Sequence, residues 1–290
     1  MNWFKRGLIL LFVYFFLLGS YKVYDHFTDD FRIANITDDL PFRPEYEVAS
    51  LSADEKRLFD VIIDQRFHYL GKGGQTYAFT SDDEKYVLKL FKFKHHRPKL
   101  IPMLLPSIGP LKKEKERHFA KAEWKYHAPF KGYKLAYDQH RKESGLLFVH
   151  LNRTENLQRI VVVTDKLGFM RTIDLDSYAF AIQKKGETFE NVLTHYLDQH
   201  DIEAAKDCVR KMYALYRLEY ERGLFDRDFC VMRNTGFVED EAIRIDIGQL
   251  CPEAHHRSLE EHMAVVHERL AEFLHKKYPQ HTEELLSLHE

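Results

Sequence analysis

The hydrophobic positions change character along the chain. After Lys5 and Arg6 the run GLILLFVYFFLLGSY carries no charge until Lys22. With Trp3 and Phe4 it approaches the roughly 20 apolar residues that span a bilayer. Residues 1–24 are therefore expected to form a hydrophobic helix, either a single-pass N-terminal membrane anchor or a signal peptide cleaved near Leu18-Gly19-Ser20. From Asp25 to Glu47 the chain is polar and acidic, with Pro41 and Pro44, and reads as a linker over 25–47. Ser52-Ala53-Asp54-Glu55 then has the form of a helix start, a serine cap followed by acidic residues, ahead of Leu58, Val61 and Ile62. Strands are expected within Tyr69 to Thr80 and Tyr86 to Phe93, joined by the charged turn Ser81 to Lys85.

Beyond these strands, residues 92–114 form an insert in which basic clusters bracket the apolar, proline-broken LIPMLLPSIGP. Such a stretch suits either a loop packed on its own domain with solvated lysines or contact with an anionic membrane surface. A helix from Leu111 to His127 follows and is expected to stop at Pro129. A second helical stretch ends near Ser144-Gly145. LLFVHL, IVVVTD and FMRTIDL then read as strands, with Lys166-Leu167-Gly168 as a turn. The remainder is mainly helical. Val209, Met212, Tyr213, Tyr216 and Tyr220 recur at helical spacing before Gly223, and Leu259, Met263, Val266, Leu270 and Phe273 mark a last amphipathic helix before Pro279.

Composition narrows the function more than the fold. At 290 residues and 44% hydrophobic content the chain can bury a substantial core. A net charge of −2 gives no general pull toward nucleic acid. The cysteines Cys208, Cys230 and Cys251 have neither CxxC spacing nor an even count, which speaks against metal and disulfide frameworks. Most histidines are scattered, and the adjacent pairs His95-His96 and His255-His256 point their side chains apart, as surface residues do. No repeat is apparent.

The candidate chemistry lies in two clusters far apart in sequence. Gly71-Lys72-Gly73-Gly74 leads into YVLKLF with Lys89, and Asp228 and Asn234 lead into IDIG with Asp246. A glycine turn can bring backbone N–H groups over phosphates, a strand lysine supplies a point charge, and asparagine and aspartate offer hard oxygens to magnesium. Phosphoryl transfer needs this positioning and charge neutralisation above all.

Taken together, these segments resemble the protein-kinase superfamily. LGKGGQTYAF is similar to its glycine-rich loop, with Gly71 and Gly73 at the first two glycines, Gly74 beside them, and Thr76 where the third would be. Val87-Leu88-Lys89 is similar to the strand of the phosphate-pairing lysine, GLFDRDFCVMRN to the catalytic loop, and Asp246-Ile247-Gly248 to the Asp-Phe-Gly element. ESGLLFVHLN, the DKLG turn and the DRD–RN–GF spacing also resemble a group of kinase-like membrane proteins of chlamydia-type bacteria. The resemblance implies an α+β, two-lobed kinase-like fold with an N-terminal hydrophobic helix, an antiparallel N-lobe over 48–182 and a reduced helical C-lobe over 183–290. It further implies ATP and Mg2+ as cofactors, Lys89 on the α- and β-phosphates, Asn234 and Asp246 on the metal, and Asp228 as the base. Glu116, or alternatively Glu123, would pair with Lys89, and Gln183 to Lys185 would be the hinge.

The departures leave alternatives open. Asp228 and Asn234 enclose five residues where the kinase pattern has four, which makes Asp226 a rival base. No Ala-Pro-Glu follows Asp246, and fewer than fifty residues remain for an activation segment and helical lobe. The expected function is a membrane-attached phosphotransferase acting on an unknown protein or small-molecule hydroxyl. A pseudokinase scaffold and a sugar, lipid or other small-molecule kinase are the alternatives. Lys5, Arg6 and the terminal amine outweigh Lys22 and Arg32, which by the positive-inside rule places the body outside the cytoplasm, in tension with a need for ATP.

Overall fold

The computed structural model describes residues 3–94, 106–252 and 258–289. Helix α1 (Trp3–Phe27) is apolar on every side and exposed over its length, and Lys5–Phe27 is long and apolar enough to cross a membrane. At about 1.5 Å per residue it is roughly 37 Å long, somewhat more than the ~30 Å hydrocarbon core.

The stretch expected as a linker is instead tied into the fold. Phe31, Ile36 in the short α2 (Ile33–Ile36), Leu40 and Tyr46 are all buried. Phe31 meets the rings of Tyr77 and Phe79 edge-on at 5.1 and 5.0 Å. Its acidic composition conceals one large apolar residue per turn or bend, enough to dock a segment of this length. Helix α3 (Ala53–Ile63) starts as expected. Ser52 Oγ accepts from the Glu55 N–H, and the Ser52 N–H donates to Glu55 Oε2, a capping box that satisfies end donors the helix cannot pair itself.

The main sheet has seven strands in the order β4-β7-β3-β2-β1-β5-β6. They are β1 (Arg66–Lys72), β2 (Thr76–Ser81), β3 (Tyr86–Phe91), β4 (Leu146–His150), β5 (Ile160–Thr164), β6 (Met170–Asp174) and β7 (Phe180–Lys184). Only β1 and β5 run parallel. One face packs on α3 through Phe59, Ile62, Phe79 and Leu90, and the other on helix α4 (Gly109–Gln139) through Phe91, Phe130, Tyr133 and Ala181.

Helix α4 corrects the expected stop at Pro129. It runs on to Gln139 with Pro129 inside it. An internal proline costs about 3 kcal/mol by removing a hydrogen bond and crowding the preceding turn. The residues after it, Phe130, Tyr133, Ala136 and Tyr137, are all buried, and their packing offsets that cost. Of the insert 92–114, residues 95–105 lie outside the described residues, while Lys92 and Phe93 at its start are buried.

After β7 the chain is mostly helical: α5 (Phe189–Asp198), α6 (Ile202–Glu221), α7 (Val231–Asn234), α8 (Leu259–Lys277) and α9 (Thr282–Leu286). The apolar stripe expected on α6 is its core face, where Val209, Met212, Tyr213 and Tyr216 pack against Val266, Leu270 and Leu274 of α8. Two small sheets thread this part: β8 (Glu187–Thr188), β10 (Thr235–Val238) and β11 (Glu241–Arg244) in one, β9 (Leu224–Asp226) and β12 (Leu250–Pro252) in the other. The fold is thus α+β with a mixed sheet and an apolar N-terminal helix.

Candidate functional site

The β1–β2 turn carries the glycines. Gly73 N–H bonds to Thr76 O at 2.9 Å, and the strand register shifts between Tyr69 and Gly71. None of the turn glycines adopts a positive φ, so left-handed backbone is not why they are glycine. A Cβ at Gly71 or Gly74 would meet nothing within 4 Å, so the turn offers bare backbone to whatever approaches it. Lys92 holds the turn from beneath. Its Nζ donates to Gly73 O at 2.7 Å and sits 4.1 Å from the Tyr77 ring centroid. Burial, together with the nearby Lys72 charge, brings the Lys92 ammonium down to about 8.

Lys89 lies at the centre of β3, opposite Ala78 on one side and Ala181 on the other. These small neighbours leave room for its chain to leave the sheet, and Nζ donates to Ile245 O at 2.6 Å across 156 residues of sequence. Burial pulls its pKa below the ordinary lysine value, and the Asp246 charge opposes that fall.

The glutamate partner expected for Lys89 is not there. Glu116 is exposed and lies 3.9 Å from Lys112, while Glu123 bonds His127 at 2.8 Å. Because α4 continues through Pro129, the part that meets the sheet lies later, and Glu116 is roughly 25 Å along the axis from Tyr133. It is the buried Tyr133 that faces the lysine, its ring centroid 6.0 Å from Lys89 Nζ.

Asn234 and Asp246 are brought together by the β10–β11 hairpin between them. Ile245 N–H and Asp246 N–H both point at Asn234 O, at 2.7 and 3.4 Å. Asn234 Nδ2 donates to Asp228 O at 3.0 Å and to Asp226 Oδ2 at 3.4 Å, which leaves its side-chain oxygen for another partner. The exposed Asp246 accepts the Gly248 N–H at 3.1 Å. The glycine turn closes over this element: a Cβ at Gly248 would collide with the Gln75 side-chain amide.

Asp226 and Asp228 differ in burial and partners. Asp228 is exposed and lines an open groove of about 690 Å³ with Arg227, Arg233, Arg269 and Lys276. Asp226 is buried and accepts the Asp228 N–H at 2.9 Å, so it shapes the loop from within. Its other oxygen is 3.2 Å from Arg244, a fully buried guanidinium. Arg244 gives Glu219 two contacts, one at 2.9 Å from Nε, and Tyr216 Oη a third. His140, just after α4, bonds Glu219 at 3.0 Å. With Arg244 committed mainly to Glu219, burial prevails at Asp226 and raises its carboxyl to about 6. At Glu219 burial is outweighed by Arg244 and His140, and its carboxyl falls to about 2. Arg244, Glu219, Tyr133, Lys92 and Gln75 were not anticipated from sequence. An arginine between the apolar Ile243 and Ile245 was the available signal, because a charge in such a stretch needs buried partners.

The residues present fit a magnesium–nucleotide. Among the described residues no group of three or more His, Cys, Asp or Glu forms a metal cage. One carboxylate and one amide oxygen beside a lysine suit magnesium shared with phosphates, since that ion commonly takes few protein ligands.

No protein-family profile matches the chain, and no curated protein does. Among solved structures it is similar to the bifunctional kinase-methyltransferase WbdD, at 14% identity and a TM-score of 0.37. The match covers 73% of this chain and 38% of the other, and a likeness of that degree does not identify the fold.

Proposed function

We propose that the chain is a two-lobed kinase-like phosphotransferase, attached to a membrane by α1, that uses ATP and Mg2+ to phosphorylate a hydroxyl. The observation that supports this best is the hydrogen bond from Lys89 to Ile245 O, which joins the strand lysine to the Asn234–Asp246 pair under the glycine turn. In this reading the β1–β2 turn and Lys89 hold the phosphates. Asn234 and Asp246 hold magnesium, which when bound neutralises charge on the phosphate oxygens. The acceptor oxygen attacks the γ-phosphorus, the bond to the bridging oxygen breaks, and ADP leaves. Asp228, exposed beside the groove, takes the hydroxyl proton.

A pseudokinase scaffold is the second reading, favoured by Tyr133 standing where a carboxylate for Lys89 is expected. Thermal shift of the full chain with magnesium and ATP, beside Lys89→Ala and Asp246→Ala, tests nucleotide binding. Stabilisation that needs magnesium and disappears in both variants supports the site. Turnover of γ-labelled ATP that Asp228→Asn abolishes separates the enzyme from the scaffold. No shift in folded wild-type protein removes the phosphotransferase and leaves a scaffold that binds no nucleotide.

A further inference from the structure

The hairpin between β5 and β6 ends in three exposed apolar side chains, Leu167, Phe169 and Met170, with relative exposures of 45%, 58% and 65%. The turn is rigid. Asp165 accepts the N–H groups of Leu167 and Phe169 at 3.0 and 2.9 Å, its backbone closes the turn with Gly168 and Phe169, and Gly168 takes φ +87°. Rigid turns that hold apolar groups in water face a solvation cost unless something covers them.

The same hairpin is fastened to the end of α1. Lys166 Nζ lies 2.8 Å from Asp29, just past the helix, and Asp29 also accepts from Tyr69 Oη at 3.2 Å. Burial opposes the charge on Asp29, but the bonds from Lys166 and Tyr69 and the charges of Lys166 and Lys72 hold its carboxyl below the ordinary value. Leu167 thereby faces Phe16, Gly19, Val23 and Phe27 of α1 across an open recess of about 670 Å³.

We propose that this hairpin is a second membrane contact, its apolar tip seated at the headgroup–acyl boundary beside α1. The inference rests on the reading of α1 as an anchor. Because α1 is longer than the hydrocarbon core, its last turns, level with the hairpin, reach the interface. Tyr21 and Tyr24 stand there, with the Arg32 guanidinium 4.7 and 5.2 Å from their rings, the aromatic and cationic pairing of a membrane boundary. Lys166 and Arg171 flank the tip, paired with Asp29 and Asp165, so the base of the hairpin is polar while its end is apolar, as a segment lying at a membrane boundary requires. A lipid surface explains the recess as well, since acyl chains fill irregular apolar gaps. The β1–β2 strands, tied to Asp29 and Asp30 through Tyr69 and Tyr77, are then held at a fixed height above the membrane.

The test uses full-length protein in phosphatidylcholine vesicles, with Trp3→Phe and Trp124→Phe as background and one tryptophan restored at a time. Phe169→Trp reports the hairpin, Phe16→Trp the anchor, and Leu259→Trp the surface of α8. The expected result is that Phe169→Trp is quenched by lipids brominated near the headgroup and shielded from acrylamide, while Leu259→Trp is neither. If Phe16→Trp is quenched by brominated lipid but Phe169→Trp behaves like Leu259→Trp, the anchor stands and the hairpin contact is overturned. If neither is quenched, the anchor itself fails and the proposal goes with it.

Discussion

Lys89 Nζ donates to the carbonyl of Ile245, so the strand lysine is bonded to the residue just before Asp246 and not to a glutamate. A carbonyl satisfies a donor without neutralising its charge, so burial pulls the Lys89 pKa down and the Asp246 charge opposes that fall. Methionine in place of Lys89 removes the desolvation cost of the buried ammonium while keeping much of its volume, and the Asp246 it leaves is exposed to water. Lys89→Met is expected to keep or raise the melting temperature without nucleotide and to lose the shift with magnesium and ATP. Melting curves with and without ligand separate the two effects, and a variant that still responds to ligand would remove Lys89 from the site.

The place of Glu116 on α4 predicts indifference to its loss. Its partner is an exposed lysine at 3.9 Å, and surface substitutions of this kind stay within about 0.5 kcal/mol. Tyr133→Ala, by contrast, empties a buried ring site facing Phe91 at 4.9 Å and should cost roughly 3–5 kcal/mol. Urea denaturation of both variants checks the contrast. A large loss of nucleotide binding in Glu116→Ala would mean that α4 moves by several turns when the site is loaded.

Much of this arrangement was legible in sequence because local rules governed it. The Ser52–Glu55 cap, the β4, β5 and β6 strands and the stripe on α6 follow from capping chemistry and periodicity. The extension of α4 past Pro129 was not legible, because tertiary packing of Phe130 and Tyr133 overrode a local penalty. The docking of 25–47 was hidden for a similar reason: Phe31, Ile36, Leu40 and Tyr46 are spaced without the period of a helix or strand. At the site, the approach of Asn234 to Asp246 follows from a short hairpin, whereas the Arg244–Glu219–Asp226 network depends on which side chains three distant elements bury together.

Asp226 gives that network a pH signature. Its folded carboxyl titrates near 6, above the unfolded value of 3.8, so its contribution to stability is fully present below about 4 and is lost as pH rises through 6. Two units correspond to about 3 kcal/mol as an order of magnitude. Asp226→Asn mimics the protonated form and should therefore gain on the wild type as pH rises from about 4 to about 6. Denaturant midpoints across that window measure the difference. A flat difference would show that Arg244 balances Asp226 fully and that the carboxylate is ionised throughout.

Gly132 packs against the Ile247–Gly248 backbone while Gly248 itself faces the Gln75 side chain, and the two should answer differently to an added methyl. At Gly132, in the last third of α4, a Cβ would run into the carbonyl oxygen of Ile247, which is buried backbone and has little freedom to retreat. Alanine is the better helix former by about 1 kcal/mol, but overpacking of this kind costs roughly 1–3 kcal/mol. Gly132→Ala is expected to destabilise the fold on balance. At Gly248 the obstacle is the far end of the Gln75 side chain, which can rotate away. Gly248→Ala should cost less than Gly132→Ala, yet lift the glycine turn from the Asp246 element and weaken magnesium–ATP binding. Gln75→Ala removes the obstacle, so the double variant with Gly248→Ala should recover affinity relative to Gly248→Ala alone. Thermal shift on the single and double variants completes the cycle. Additive losses would mean that Gln75 and Gly248 affect the nucleotide independently, and the closure of the turn over Asp246 would play no part in binding.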